Sequence, residues 1–287
     1  MTESKNIKSD VCVFISVLLL LFYCFIIRYR HLMYFYPDKI LKSTPDDFNM
    51  NYIDMNIKQI NGWLIKNKKS KFSDKLNQTK LLIYSHGNAG NISHRIPIIQ
   101  KLLTIFTDAD IFIYDYPQFG LSNKTLNLNT VVLSAYDVYA YWTNTNKYKD
   151  IGLIGESIGA GVNAELYDLL IRYKLSAPYI IIHLNGISSL RSVVGNILGP
   201  YISELFIGWI NEFDCEKIYL KHVLKLPKLL VIHANRDQLI KFNSIKQMIH
   251  NLKICTNVYF VQIIGSHNDP IITEKATKKI KYIYKIK

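Results

Sequence analysis

Apolar runs alternate with amphipathic stretches along most of this chain. Strand-like apolar runs lie near Leu81, Ile111, Ile151, Ile180, Leu229 and Val258, after a shorter pair within residues 52–65. Helical spacing of apolar residues is found between these runs, near Ile98, Val132, Val162, Ile245 and Ile272. Because buried strands separated by helices are typical of parallel sheets covered on both faces, the pattern predicts an α/β fold with a mostly parallel central sheet.

The beginning of the chain has a different pattern. Residues 11–27 are apolar apart from Ser16, Tyr23 and two cysteines, and basic residues flank them on both sides. This length is at the short end for a membrane-spanning helix, and no small-residue cleavage site follows it. We expect a tail at residues 1–10, an uncleaved transmembrane signal anchor at 11–27, a linker at 28–50 and one α/β domain at 51–287. A buried helix fits less well, because the segment has no polar face.

A long interval without a strand pattern, residues 186–226, interrupts the second half of the domain. It is rich in Leu, Ile and Val, and Gly195, Gly199 and Pro200 divide it into short pieces. In this position it is expected to form a small helical cap over the carboxyl edge of the sheet. Its apolar residues either line a pocket or are core between helix and sheet.

Composition narrows the function classes. The chain has 287 residues, of which 49% are hydrophobic and 20% charged, which suits one domain with a full core. Its formal charge is +13, but the lysines are spread along the chain, so no nucleic-acid partner is expected. The lysine-rich C-terminal stretch fits a solvated helix face better than a site for anionic lipid. The four cysteines give no disulfide framework or metal spacing, and no phosphate-binding glycine motif occurs; neither a metal nor a cofactor is expected.

The pentapeptide Gly155-Glu156-Ser157-Ile158-Gly159 follows a strand-like run and precedes a helical stretch. This G-x-S-x-G pattern is typical of a nucleophile elbow, in which a tight turn lifts the serine clear of the sheet. A plain strand-to-helix turn is the alternative for the pentapeptide alone. The two interpretations differ in whether a base, an acid and an oxyanion hole follow.

An acid and a base occur in the expected order after Ser157. Asp237 comes a few residues after the buried-looking run 229–233, and His267 lies in a polar turn after the run 258–264. His250 is the other histidine beyond the acid, but it falls in a helical pattern. The order Ser, Asp, His therefore predicts a catalytic triad of Ser157, Asp237 and His267.

A candidate oxyanion hole lies earlier in the chain. The run 80–84 leads into a loop of small residues from Ser85 to Asn91. Two preorganised N–H groups are needed where charge develops on a carbonyl oxygen, and we expect them from Asn88 and from Ile158, the residue after the nucleophile.

These motifs together resemble the membrane-anchored α/β hydrolases of the abhydrolase domain-containing protein 13 type. The resemblance runs from about Tyr34 to the C-terminus and rests on five spaced strings: 86–91, 114–116, 155–159, 237–240 and 265–269. It implies an α/β-hydrolase fold and a hydrolase of acyl esters or thioesters on lipids or acylated proteins, with a depalmitoylase-like role among the options. It also favours an endomembrane location with a cytoplasmic N-terminus, which the balanced basic flanks do not decide.

The chain departs from that family at several positions. Where the family has Asp-Tyr-Arg-Gly-Tyr-Gly, this chain has Asp115-Tyr116-Pro117-Gln118-Phe119-Gly120, and the second residue of the elbow is Glu156. The altered rim keeps open a catalytically silent, membrane-tethered scaffold. A serine peptidase on the same triad is the other alternative, because it differs only in the leaving group.

Overall fold

A computed structural model describes residues 3–67, 80–199, 201 and 212–285. The chain divides into two compact units, Met1–Tyr36 and Pro37–Lys287. The first unit contains helix α1 (Glu3–Tyr29) and the single turn α2 (His31–Tyr34). Within the described residues, no helix combines the length and the apolar character needed to cross a bilayer. The transmembrane anchor at residues 11–27 stays a prediction.

Strand β1 (Tyr36–Pro37) lies at the boundary of the two units, and the second unit contains the remaining strands. These are β2 (Tyr52–Ile57), β3 (Ile60–Ile65), β4 (Lys80–Ser85), β5 (Ala89–Gly90), β6 (Ala109–Tyr114), β7 (Asp150–Glu156), β8 (Ile180–Leu184), β9 (Lys228–Ala234), β10 (Val258–Gly265) and β11 (Pro270–Ile271). Nine of them form one sheet in the order β11-β10-β9-β8-β7-β4-β6-β3-β2. The six strands from β10 to β6 are parallel to their neighbours, whereas β2, β3 and β11 add antiparallel edges.

The helices of this unit are α3 (Ile96–Ile105), α4 (Leu128–Asn144), α5 (Gly159–Arg172), α6 (Leu190–Leu198), α7 (Cys215–Lys221), α8 (Phe242–Asn251) and α9 (Glu274–Lys285). Short 3-10 helices occur at Pro45–Phe48, Ile92–Arg95, Val223–Lys225 and Leu252–Ile254. Apolar residues of α3 and α9 join one core cluster with the sheet, whereas α5 packs against α4 and α7. Every position of β6 and β8 is buried, as expected for strands with helices on both faces. The predicted α/β fold with a mostly parallel sheet is confirmed.

The last helix begins later than the apolar pattern near Ile272 indicates. Residues Pro270 and Ile271 instead pair with the end of β10. The Thr273 hydroxyl then accepts the Ala276 N–H at 3.2 Å, which satisfies a donor that the first helical turn leaves open. The cap at Thr273 therefore sets the start of α9 at Glu274.

The interval predicted as a cap, residues 186–226, connects β8 with β9. Its described parts include α6 and α7, while residue 200 and residues 202–211 lie outside the described residues. The Ser188 carbonyl accepts the N–H groups of both Cys215 (2.9 Å) and Glu216 (3.3 Å). The Glu165 carboxylate on α5 accepts the Phe213 N–H at 3.0 Å. These bonds hold residues 213–216 against Ser188 and α5.

The strand order reverses direction next to β4. After β4 the chain crosses to β6 on one side, and then returns to β7 on the other. Because the connections that follow β4 and β7 diverge, the carboxyl ends of these two strands form a switch point, the place where open α/β sheets bind ligands. Both Asn88 and Ser157 follow these two strand ends.

Candidate active site

Ser157 occupies the sharp turn between β7 and α5. Its φ is +54°, in the left-handed region that non-glycine residues seldom adopt. The flanking glycines are needed because the turn is tightly packed. A Cβ on Gly155 would lie 2.5 Å from the Ala160 backbone, and a Cβ on Gly159 would overlap the carbonyl of Ser85. The pentapeptide therefore forms a strained elbow that presses against the end of β4.

The structure brings Ser157, His267 and Asp237 into one hydrogen-bonded row. The His267 Nε2 atom lies 3.1 Å from Ser157 Oγ, and His267 Nδ1 lies 2.7 Å from Asp237 Oδ2. The three residues follow β7, β10 and β9, whose carboxyl ends meet at one edge of the sheet. Such a row can transfer a proton away from a serine hydroxyl while a buried carboxylate orients the imidazole.

The acid of the row is held by its own loop. Asp237 Oδ1 accepts the N–H groups of Leu239 (3.0 Å) and Ile240 (2.7 Å), so the second oxygen is left to face His267. The Nε2 atom of His233 lies 3.6 Å from that second oxygen and 2.9 Å from the Ile240 carbonyl. Burial lowers the pKa of His233, and its Nε2–H donates to the Ile240 carbonyl, so the ring packs beside the carboxylate as a neutral group.

Asn185 is a site residue that the sequence analysis missed. Its side-chain amide donates to the main-chain oxygen of His267 at 3.1 Å, and its side-chain oxygen accepts the Ala234 N–H at 2.9 Å. It follows β8, is almost fully buried and has a φ of +45°. An Asn placed directly after a buried strand was the only available signal, since asparagine tolerates this backbone conformation better than most residues.

The two oxyanion-hole candidates follow neighbouring strands: Asn88 comes after β4 and Ile158 after β7. Neither the Asn88 N–H nor the Ile158 N–H donates a hydrogen bond to any described residue. Gly159 packs against the carbonyl groups of Ser85 and His86, which places the loop after β4 against the start of α5. Neither N–H group is thus committed to another acceptor within the described residues, and their role in an oxyanion hole stays a prediction.

Aromatic side chains pack at the start of the loop after β4. The ring centroid of buried His86 lies 4.2 Å from that of Tyr116 and 5.2 Å from that of Phe119. The Tyr116 hydroxyl donates to the His86 carbonyl at 2.7 Å. Burial lowers the pKa of His86 well below its ordinary value. The ring therefore supports the loop as a neutral, packed group.

The nearby turn shows how the chain accommodates its departures from the resemblance. The Phe119 N–H donates to the Tyr116 carbonyl at 2.9 Å, and Gln118 between them has a φ of +65°. Pro117 followed by a residue of positive φ forms a type II turn, in which glycine is favoured at the residue with the positive φ. Gln118 thus occupies a glycine-like position at the surface.

Other candidates lie away from the row. His250 is exposed on α8 and is not among the groups that contact Ser157. Asp168 pairs with Arg172, Lys221 and His222. No group of three or more His, Cys, Asp or Glu side chains able to hold a metal occurs among the residues that the structure describes.

The elbow, the strand order and the row of side chains define the class. They are the features of an α/β hydrolase. A solved esterase of Pyrococcus furiosus shares the fold, with a TM-score of 0.63 and 18% identity, covering 88% of this chain and 97% of that chain. An alpha-beta hydrolase of Vibrio vulnificus has a TM-score of 0.60 and 14% identity, covering 84% and 80%. The sequence-based recognition of an α/β hydrolase is confirmed.

Sequence comparison assigns the chain to one family within the α/β hydrolases. The family model described as steryl acetyl hydrolase matches residues 3–177, more than half of the chain. The chain belongs to the steryl acetyl hydrolase family and is an enzyme of the hydrolase class, esterase type. Protein R595 of Acanthamoeba polyphaga mimivirus is 29% identical over 231 residues, which cover 71% of this chain and 70% of that protein.

Proposed function

We propose that this chain is a serine esterase that cleaves acyl esters through a covalent acyl-enzyme intermediate. The observation that carries the proposal is the row from Asp237 through His267 to Ser157, with distances of 2.7 and 3.1 Å. Only a serine that can lose its proton to a neighbouring base becomes a strong nucleophile at neutral pH. The strained elbow supports the same assignment, because it places Ser157 Oγ within hydrogen-bond distance of His267.

In the first half-reaction, Ser157 Oγ attacks the carbonyl carbon of the ester while His267 Nε2 takes its proton. Asp237 holds the imidazole in one tautomer and stabilises its cation, and the N–H groups of Asn88 and Ile158 donate to the oxyanion. The tetrahedral intermediate collapses with loss of the alcohol, which receives the proton from His267. Water then attacks the acyl-enzyme carbonyl while His267 takes its proton. The second tetrahedral intermediate collapses, Ser157 Oγ receives the proton from His267, and the carboxylic acid is released.

The substrate we favour is an acyl ester with an apolar group attached. The described part of the cap region exposes apolar side chains at Ile197 and Leu198. The same region begins next to the nucleophile, because the Ile187 N–H donates to the Ser157 carbonyl at 3.2 Å. The family description names an acetyl ester of a sterol as the substrate of relatives. Thioesters of acylated proteins, the depalmitoylase-like option, share the same chemistry and differ in the leaving group.

The first test is labelling with a fluorophosphonate probe, which reacts covalently with activated serines. Wild type is expected to be labelled, and Ser157→Ala is expected to lose labelling and about a millionfold in turnover. Ser134→Ala is a matched control, because among the described residues the hydroxyl of this buried serine bonds within α4, to the Thr130 carbonyl. A folded wild-type chain that takes no label would favour the silent scaffold.

Substrate class requires a second panel. Steryl acetate, p-nitrophenyl esters of increasing chain length, acyl thioesters and peptide amides should be compared by kcat/KM on the wild-type chain. We expect esters to be cleaved fastest and amides slowest. Faster cleavage of amides would favour the peptidase alternative, and a preference for long-chain thioesters would favour the depalmitoylase-like role.

We propose separately that the N-terminal segment attaches the enzyme to a membrane, in the endomembrane system and with a cytoplasmic N-terminus. The support is the apolar run at residues 11–27 with its basic flanks. The full chain should stay with membranes after extraction with alkaline carbonate, and a chain that lacks residues 1–36 should not. Release of the full chain by carbonate contradicts the proposal.

A further inference from the structure

Glu156 stands between Gly155 and the nucleophile, and the mechanism proposed above does not use it. Its Oε2 atom accepts hydrogen bonds from the Tyr84 hydroxyl (3.0 Å), Arg95 Nε (3.0 Å) and the Gly87 N–H (3.3 Å). These donors come from the end of β4, from the loop that follows it and from the turn before α3. One carboxylate oxygen therefore joins the elbow to the whole segment that contains Asn88.

Arg95 extends this connection to the other side of Asn88. Its Nη1 atom donates to the Ala89 carbonyl at 2.7 Å, while its Nε atom is bound to Glu156. The pair therefore holds the Gly87 N–H and the Ala89 carbonyl, the groups on either side of Asn88. A loop fixed at both neighbours leaves the intervening N–H with little freedom of direction.

Close packing reinforces the arrangement. A Cβ on Gly87 would lie 3.0 Å from Arg95 Nη2 and 3.3 Å from Glu156 Oε1. Gly90 has a φ of +82°, and a Cβ there would lie 3.0 Å from Arg95 Nη1. The backbone of the loop therefore packs closely against Arg95 and Glu156, and a larger residue at Gly87 or Gly90 would displace these side chains.

The ion pair is shielded from solvent. The side chains of Arg95 and Glu156 are 12% and 27% exposed. Burial lowers the pKa of Arg95, but the charge of Glu156, the nearby Tyr84 and Tyr116 and the hydrogen bond to Glu156 together raise it above its ordinary value. Arg95 is therefore a cation at neutral pH, and hydrogen bonds from a charged donor are stronger than neutral ones.

We propose that Glu156 and Arg95 are positioning residues, which fix the Asn88 peptide so that its N–H donates to the oxyanion that forms on Ser157. The inference rests on the proposed function, because it assigns a role in the same reaction. It adds that the second residue of the elbow acts through the oxyanion loop and has no contact with the reacting atoms. The charge pair then acts in the transition state and contributes little to substrate binding.

The test compares kcat and KM for p-nitrophenyl acetate in wild type, Glu156→Gln and Arg95→Met. Each variant is expected to lose about tenfold to a hundredfold in kcat, since small displacements of a catalytic group cost rates of this order. The KM should stay within about twofold, because an interaction made only in the transition state is removed. The rate of fluorophosphonate labelling should fall in parallel with kcat.

Two further variants separate positioning from folding. The double variant Glu156→Gln/Arg95→Met should lose about as much kcat as either single variant, because the pair acts as a unit. Arg95→Lys keeps a positive charge beside Glu156 but cannot hold Ala89 at the same time, so it should retain more activity than Arg95→Met. This recovery keeps the inference testable if Glu156→Gln folds poorly.

Lys66→Met is the matched control. Lys66 forms a similarly buried ion pair with Asp110 (2.9 Å), and the hydrogen bonds described for the two residues go to Asn67 and Tyr148, away from the elbow and the loop after β4. It should lower thermal stability and leave kcat near the wild-type value. An unchanged kcat in folded Glu156→Gln, or an equal loss of kcat in Lys66→Met, would overturn the inference while labelled wild type still supports the esterase. Unlabelled wild type would instead overturn the esterase proposal and this inference with it.

Discussion

The side-chain amide of Asn185 donates to the main-chain oxygen of His267 over 3.1 Å. The same side chain accepts the Ala234 N–H, three residues before Asp237. A single residue at the end of β8 therefore connects the loop of the base with the strand that leads to the acid. The hydrogen bond from His267 to Asp237 depends on the relative position of these two loops, so Asn185 sets the geometry of the row without contacting Ser157.

Replacement of Asn185 by alanine should lower both activity and stability. The buried Ala234 N–H loses its acceptor, which costs about 1–3 kcal/mol in the free energy of unfolding. We expect kcat to fall about tenfold or more because the His267 loop loses its tether. Asn185→Asp keeps the acceptor for Ala234 but faces the His267 carbonyl with an oxygen, and should lose kcat with less effect on the Ala234 bond. Wild-type kcat in a folded Asn185→Ala variant would contradict this role.

Replacement of Asp237 by asparagine should lower kcat by about four orders of magnitude. The amide preserves the shape of the side chain but no longer stabilises the imidazolium, and it can impose the wrong tautomer on His267. Steady-state kinetics on p-nitrophenyl acetate measure the loss. Asp137→Asn is the matched control, because Asp137 pairs with Lys58 and Lys124 at the surface. Equal losses in the two variants would remove Asp237 from the triad.

Asp115 predicts a pH dependence of stability. Burial raises the pKa of Asp115 to about 7, although the Ile92 N–H and Arg95 act in the opposite direction. Because the pKa in the folded chain exceeds that of an unfolded aspartate, the protonated carboxyl stabilises the fold at low pH. This contribution is complete below about pH 4 and is lost as the pH rises through about 7.

The variant Asp115→Asn isolates this contribution. Its unfolding free energy should lack this decline, so that between pH 5 and 8 the difference from wild type shifts in favour of the variant by about 2 kcal/mol. Urea denaturation at each pH measures the difference, and contributions from other groups cancel in the comparison. A difference that stays constant with pH would show that Asp115 does not titrate in this range.

Gln118 predicts a stabilising substitution. Its φ of +65° is costly for a residue with a Cβ, by about 1–2 kcal/mol, whereas glycine adopts it freely. Part of this gain is offset by the greater freedom of glycine in the unfolded chain. Gln118→Gly should raise the unfolding free energy by about 1 kcal/mol, measured by urea denaturation. Asn146→Gly is the control, because asparagine at φ +51° is already tolerated and the expected change is smaller.

Much of the fold follows from local patterns. The six parallel strands coincide with apolar runs, since strands covered on both faces need apolar residues at nearly every position. The order of Ser157, Asp237 and His267 also follows from the sequence, because each residue comes directly after a strand. The sequence also excludes His250 as the base, because its apolar neighbours have helical spacing, and it does lie on α8.

The contacts between distant segments could not be predicted. Arg95 and Glu156 are 61 positions apart, and Asn185 and His267 are 82 apart. They meet because β4 pairs with β7, and because β8, β9 and β10 lie side by side. Strand order is a property of the whole chain, which no local pattern of apolar and polar residues specifies. The start of α9 is a different case, because it depends on a local cap by Thr273.

The Ser188 carbonyl, which accepts the N–H groups of Cys215 and Glu216, makes the interval between them an exchangeable part. Any segment whose ends meet at this point can be joined to the same sheet without altering the elbow or the row of side chains. Evolution or a protein engineer can therefore lengthen, shorten or replace it by recombination at residues 190 and 212, which keeps buried Phe213 and the helix cap Asp214 in place. Descendants of one catalytic scaffold could in this way diverge in substrate while they inherit the same chemistry.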